Sequence, residues 1–282
     1  TLYDVTNGTD ILVTEHRDNG DTKQMVYVDE LYRRDFELTK VNADDTTEVL
    51  EGFTFNVKTN RTKRDGVVED INLGNYTTDS DGNISIPDLK EDNEITVTEV
   101  SAVDDTWYVW EDPFTYNIGH DATVTDALEA TIEDHKVKIG TYAIYEETGD
   151  KDWIDLDNLT GHIIDTVNYE WIYKNNEHKL VATLIDLGTS DNPTENAVTT
   201  VEHTFTPTSN SGSEDVSIEF DYGFYPGHKF VVYEELYKID GSTDTLIAEH
   251  KDLSDTDQTV YVEGAYRAEV VLYKTNASKD IL

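Results

Sequence analysis

Apolar residues occupy every second position through most of this 282-residue chain. The clearest runs are Phe36-Leu38, Phe53-Phe55-Val57, Ile95-Val97, Ile163-Val167-Tyr169, Phe230-Val232 and Val260-Val262. A period of two sends successive side chains to opposite faces of an extended backbone, so each run predicts a half-buried β-strand. Helical spacing is almost absent. Turn-forming clusters punctuate the runs at Asp81-Gly82-Asn83, Glu147-Thr148-Gly149-Asp150, Asn192-Pro193 and Asp240-Gly241-Ser242. Short strands separated by such turns predict an all-β chain built as sandwiches.

Polar residues interrupt the pattern on its apolar faces. Lys40 continues the face of Phe36 and Leu38, Glu99 that of Ile95 and Val97, and Asp134 that of Ala130 and Ile132. Asp165 stands among Ile163, Val167 and Tyr169, and Glu234 follows Phe230 and Val232. Thr141 shares the face of Val137 and Ile139, and Gln258 that of Val260 and Val262. A charge inside a core is costly, so the buried groups must be paired, neutral or consumed by reaction. An ordinary ion pair accounts for the lysine set taken alone; a turn contact for Asp165, a solvated surface for Glu234 and a strand edge for His250 do the same.

A long-range repeat adds to this. Residues 236-262, LYKIDGSTDTLIAEHKDLSDTDQTVYV, repeat residues 2-28, LYDVTNGTDILVTEHRDNGDTKQMVYV, at a shift of 234. The register aligns His16 with His250, Gln24 with Gln258 and, further on, Lys40 with Lys274. A period of that length holds more than one domain, and the arrangement predicts one unit of a tandem array in which each unit contacts its neighbours. The expected division is residues 1-34 as closing strands of a preceding domain, 35-136 as one sandwich, 137-263 as a second, and 264-282 as the opening strand of a following one. The joint DHKVKIGT carries one Gly and no Pro, which predicts a stiff connection.

Composition narrows the setting. With 60 Asp and Glu against 21 Lys and Arg, the formal net charge is -39, which repels phosphate backbones and anionic lipid and excludes nucleic acid as a partner. The chain has no cysteine, so neither disulfides nor thiolate metal sites can brace it. No apolar run approaches the length of a membrane span, so no membrane insertion is expected in this segment. Asp79-Ser80-Asp81-Gly82-Asn83 begins like a calcium loop, but Lys90 occupies the position of the closing bidentate Glu, and a β-turn is expected there. No metal and no cofactor are expected.

The strand FELTKV, the segment LEGFTF, the turn and strand YTTDSDGNISIPDL and the strand ITVTEV together resemble the collagen-adhesin B-type (CnaB, prealbumin-like) domains of Gram-positive surface proteins. The resemblance implies an isopeptide bond between Lys40 and Asp134, with Glu99 polarising the acceptor carbonyl. The proline-glycine-tyrosine usual after that Glu is replaced here by Ser101 to Tyr108, and Glu133 flanks the acceptor. Residues 137-263 resemble the VaFE-type ester-bond-forming domains through KIGTYA, IIDTVNY, Phe205-Thr206-Pro207, VSIEFDY, VVYEEL and AEHKDLSDTDQTVYV. That resemblance implies an ester between Thr141 and Gln258, released ammonia, and assistance from Asp165, Glu234 and His250. A threonine hydroxyl is a weak nucleophile and an amide a weak electrophile, so such a pair requires a base and proton donors beside it.

These readings imply tandem Ig-like/prealbumin-like β-sandwiches in an extracellular, cell-surface or cell-wall-attached filament, stiffened by autocatalytic cross-links. The expected partners are preceding and following repeat units or fibre subunits, with Gln24 and Lys274 as inter-unit cross-link candidates. The alternative is an adhesin domain that binds carbohydrate or a host protein, for which the 17 Tyr and 4 Trp could supply a platform. Tyr108 and Trp110 are expected on one face of a strand with Trp107 on the other, where core or shielding roles are the commoner fate. A hydrolase is disfavoured, because the neighbouring glutamine would consume the threonine in one turnover.

Overall fold

A computed structural model describes residues 33–62, 67–90, 94–118, 126–153 and 160–264, together with the backbone of two short antiparallel strands, β1 (Leu2–Asp4) and β2 (Ile11–Thr14). The expected roles of residues 1-34 and 264-282, including Gln24 and Lys274, fall almost wholly outside the described residues.

The first half forms two facing sheets. One is centred on β3 (Arg33–Asn42), which pairs antiparallel with β4 (Asp45–Val49) and β7 (Asn83–Lys90) and parallel with β10 (Leu128–Asp134). The other runs in the order β6 (Val68–Thr77), β5 (Thr54–Thr62), β8 (Glu94–Ser101) and β9 (Phe114–Asn117). The predicted alternation is realised: Phe36, Leu38, Phe53, Phe55, Val57, Ile95 and Val97 are all buried in one core. The parallel pairing of β3 with β10 brings the opening and closing strands of the sandwich side by side, with Lys40 opposite Ile132 and Asn42 opposite Asp134.

The second half repeats the plan with longer strands. A three-stranded sheet holds β11 (Lys138–Tyr145), β13 (Thr160–Glu170) and β16 (Ser211–Asp221), with β11 at an edge. The facing sheet runs β12 (Asp152–Trp153), β19 (Thr259–Val262), β17 (Lys229–Asp240), β14 (His178–Thr189) and β15 (Asn192–Phe205), and β18 (Thr243–His250) also pairs with β17. Its core includes Val137, Ile163, Val167, Leu180, Ile218, Phe230, Val232 and Val260. The one helical turn among the described residues is Tyr222–Phe224.

Two local expectations are corrected. Trp107, Tyr108 and Trp110 do not lie on a continuous strand: Trp107 makes a single bridge to Lys136, and the residues after it are irregular. Their backbone groups have other partners, since Trp110 N donates to Glu99 Oε2 at 3.0 Å and Val109 N to the Tyr173 hydroxyl at 3.2 Å. Asn192 and Pro193 open β15 instead of forming the turn, which lies at Ser190 and Asp191. Because β15 is an edge strand, proline at its start costs no ladder bond.

The joint between the halves is short, with β10 ending at Asp134 and β11 starting at Lys138. The His135 ring stacks on Trp171 at a centroid distance of 3.6 Å, and the Tyr173 hydroxyl, which accepts from Val109 N, also donates to Trp107 O at 3.3 Å. Lys238 Nζ reaches Asp105 Oδ1 at 2.6 Å. Trp171 itself has a φ of 61°, a backbone state uncommon for a large side chain and held here by packing.

Candidate functional site

The first centre sits between the two sheets of the first half. Lys40 enters from β3, Asp134 from β10 and Glu99 from β8 on the opposite sheet, because each ends an inward alternation. Gly82 tightens the approach: its φ is +73°, its carbonyl accepts from Lys40 N at 2.8 Å, and a Cβ there would lie 2.8 Å from Lys40 O. Any other residue would push the turn off the lysine strand. The turn matches the β-turn expectation, with Asp79 Oδ1 accepting from Asp81 N and Asn83 N.

All three side chains have zero exposure; Lys40 Nζ lies 3.2 Å from Glu99 Oε1 and 3.3 Å from Asp134 Oδ2. Although these atoms are within ion-pair distance, Lys40 Nζ, Glu99 Oε1 and Asp134 Oδ2 have no partner with hydrogen-bond alignment. Phe53 and Phe55 flank the ammonium, each ring centre 5.4 Å from Nζ. Burial pushes the Glu99 carboxyl up against the opposing pull of Lys40, and burial likewise lifts Asp134 to about 7. At neutral pH the carboxyl pair is therefore partly protonated, the state in which a carboxylic acid can donate to a carbonyl under attack. Asp134 Oδ1 accepts from His135 N at 2.9 Å, which fixes the carboxyl plane.

The second centre lies where β11, the first strand of its sandwich, meets the segment entering β19, the last. Thr141 Oγ1 and Gln258 Nε2 are in direct, short contact, with Gln258 fully buried and Thr141 nearly so. Asp165 from β13 and Glu234 from β17 are both at 0% exposure. Burial raises Asp165 to about 6, opposed by the neighbouring Glu234 carboxyl and by the nearby His250 and Lys151. Burial and the Asp165 charge push Glu234 to about 10. Environment has separated two like groups, leaving Glu234 a protonated acid and Asp165 largely a carboxylate at neutral pH.

His250 stands opposite Glu234 in the β17–β18 pairing, and its Nε2 lies 2.9 Å from Asp255 Oδ2. Asp255 orients the imidazole, a role that alternation cannot reveal because the residue lies in a turn. The repeat carries a signal for it: Asp21 occupies the matching place between His16 and Gln24. The structure thus gathers Lys40, Glu99 and Asp134 at one centre and Thr141, Gln258, Asp165, Glu234 and His250 around another. Among the described residues no cluster of metal-ligating side chains is found, and no helix is long and apolar enough to cross a membrane.

Two family models match the chain. Residues 34–134 match the SpaA prealbumin-like fold domain, and residues 137–262 match the T-Q ester bond containing domain. The two matches lie in tandem, a prealbumin-like domain followed by a T-Q ester bond domain, which is the order the sequence resemblances implied. No curated protein sequence matches. Among solved structures, a bacterial adhesin from Mobiluncus mulieris containing intramolecular disulfide, isopeptide and ester bond cross-links aligns at 15% identity and a TM-score of 0.38, covering 46% of this chain and 58% of that one. This chain therefore spans little more than half of that relative. BcpA, the major pilin subunit of Bacillus cereus, aligns at 14% identity and a TM-score of 0.33 over 83% of this chain and 69% of that one. The major pilin SpaD from Corynebacterium diphtheriae aligns at 11% identity and a TM-score of 0.34, with 84% and 72% covered. Likeness at that level decides nothing about function.

Proposed function

We propose that this chain is a structural segment of an extracellular stalk or fibre, stiffened by an isopeptide bond between Lys40 and Asp134 and an ester between Thr141 and Gln258. The observation that carries the reading is that the reactive partners lie at zero or near-zero exposure on, or immediately before, the strands that open and close each sandwich. In the first centre Lys40 passes a proton to the adjacent carboxyl pair, and the neutral amine attacks the Asp134 carboxyl carbon while protonated Glu99 donates to the carbonyl; a C–N bond replaces the C–OH bond, and water leaves. In the second, the Thr141 hydroxyl attacks the Gln258 carboxamide carbon, a C–O bond replaces the C–N bond, and ammonia leaves. In this proposal Asp165 or His250 accepts the hydroxyl proton, and Glu234 supplies one to the departing amine. Each centre turns over once, because its product is the protein itself.

Gln24 and Lys274 extend the proposal to the neighbours: each would be joined to the equivalent of Thr141 or Asp134 in an adjoining unit, of the same polypeptide or of another subunit. Intact mass tests the core of the reading, with a full-length chain lighter than its sequence by one water and one ammonia. Tryptic peptides that recover Lys40, Asp134, Thr141 and Gln258 all unlinked would overturn it. A ligand-binding adhesin domain is the second reading, favoured by the cleft of about 330 Å³ at the joint lined by Tyr108, Trp110, Trp171 and Asn210. Binding of a glycan or host protein that is lost on Trp171→Ala would support it.

A further inference from the structure

The strand β11 that carries Thr141 and the strand β19 that Gln258 leads into belong to different sheets, so no continuous ladder holds the two residues in register. One backbone hydrogen bond crosses between them, from Ala143 N to Asp257 O at 2.9 Å. Lys151 spans the same gap. Its Nζ donates to Asp257 O at 2.7 Å and Ala143 O at 3.0 Å, and lies 3.5 Å from Thr259 O. Ala143 follows Thr141 by two residues on the same face, and Asp257 and Thr259 flank Gln258 on both sides. The stem of Lys151 is fixed as well: its own carbonyl accepts from Tyr261 N at 2.8 Å, and Nζ sits 4.3 Å from the centre of the Tyr142 ring.

We propose that Lys151 is a positioning residue for ester formation, clamping the strand that bears the nucleophile against the segment that bears the electrophile. The proposal rests on reading Thr141 and Gln258 as the cross-linked pair. An ammonium suits the task because it has three donors on a compact head and here faces three carbonyls that converge from both sides of the gap. The planar fork of an arginine would keep the charge but could not meet the same three acceptors. Misplacement of reacting groups by about 1 Å is enough to slow a step by roughly 100-fold, so a clamp of this kind acts on rate.

Charge adds a second effect. Asp165 is faced by Glu234 from β17, His250 from β18, the Tyr142 backbone from β11, and Lys151. Lys151 in turn is surrounded by Asp257, Asp255, Asp165 and Asp150. Its ammonium favours the ionised form of Asp165, alongside the larger influences of Glu234 and His250, so its removal moves the deprotonation of Asp165 to higher pH.

The test uses full-length chains made by cell-free translation, moved into buffers spanning about pH 5 to about pH 9 and quenched at intervals, with loss of one ammonia read by intact mass. Lys151→Met and Lys151→Arg should both form the ester about 10-fold to 100-fold more slowly than the parent. Only Lys151→Met should also displace the acid limb of the rate profile upward. Near-UV circular dichroism establishes that each variant folds; should Lys151→Met fail, the rate of folded Lys151→Arg decides. Parental rates in a folded variant would overturn the clamp, as would a lowered Tm with unchanged rate and pH profile. If the parent itself loses no ammonia, the ester reading falls and the clamp with it, whereas a parent that loses ammonia beside an equally fast variant removes the clamp alone.

Discussion

Replacing Thr141 by Ala should lengthen the chain under load by an amount the structure sets. Thr141 and Gln258 are 117 residues apart in sequence. A chain pulled from its ends through an intact ester bypasses that whole segment, which therefore adds nothing to the extension. Without the ester the segment can be drawn out at about 3.5 Å per residue, or roughly 400 Å in all. Single-molecule force spectroscopy on the full chain held between two marker domains should show this step in Thr141→Ala and lack it in the parent. The same chains measured by intact mass should differ in whether one ammonia has been lost. A parent that extends by roughly 400 Å at the force that unfolds the variant would refute the reasoning, as would a variant that gains no length. Thermal unfolding gives an independent magnitude. Closing a loop of this size removes about 5 kcal/mol of chain entropy from the unfolded state. For a domain of this size that corresponds to a fall of about 20 °C in Tm when the hydroxyl is deleted.

Three further outcomes are expected. Asp134→Asn should still cross-link, losing ammonia where the parent loses water; the mature chains then have identical masses, and a variant heavier by the mass of ammonia would show that the bond had failed. Glu234→Gln keeps a neutral side chain of the same shape but cannot release a proton as a carboxylic acid does, so it should fold and retain its ammonia; full ester formation would remove Glu234 from the mechanism. In Thr141→Ala, stability should fall as pH rises. Folded Asp165 titrates near 6 and folded Glu234 near 10, both raised, so the folded state holds protons that the unfolded state has released. Their contribution is complete below the ordinary carboxylate range and is lost through about 6 for Asp165 and through about 10 for Glu234. A Tm that is level or rises between about pH 5 and about pH 9 in high salt, where surface repulsion is screened but the buried pair is not, would contradict this.

Strict alternation made the reactive side chains visible. A polar residue on an apolar face of period two has nowhere to point but inward, and Lys40, Glu99, Asp134, Asp165, Glu234 and Gln258 are all buried as that argument requires. Which of them meet is a property of sheet pairing, and pairing leaves no mark on single strands. Lys40 and Asp134 meet through parallel neighbours in one sheet, Glu99 arrives from the other, and no periodicity distinguishes the two cases. Side chains that act through turns were still less legible. Asp255 is marked only by its repeat of Asp21, Lys151 carries no pattern at all, and Lys151 is recognisable only once Ala143, Asp257 and Thr259 converge on it. The misread segment from Trp107 to Trp110 has a related cause: its aromatic content suits a strand, but Trp110 N is taken by the Glu99 carboxylate and Val109 N by Tyr173, so the backbone cannot join a ladder.

The two proposed cross-links are placed so that each needs the other. With both bonds formed, tension entering the first domain near β3 would pass through Lys40 to Asp134, leaving every strand between them outside the load path. Asp134 is the last residue of β10, and only His135, Lys136 and Val137 precede β11, which carries Thr141. From Thr141 the load would cross to Gln258, which immediately precedes β19, and again bypass the intervening strands. What remains to bear force without a covalent shortcut is the stretch from Asp134 to Thr141. That is where the stacking of His135 on Trp171 and the bonds through Tyr173 are found, and where Lys138 Nζ reaches Asp44 Oδ1 at 2.6 Å and Lys238 reaches Asp105. Exposed pairs of this kind are each worth only about 0 to 1 kcal/mol, so they set the angle of the joint and contribute little to its strength. On the proposed reading, strength along the chain would come from the covalent path, and the sandwiches would serve chiefly to bury, align and protonate the groups that create it.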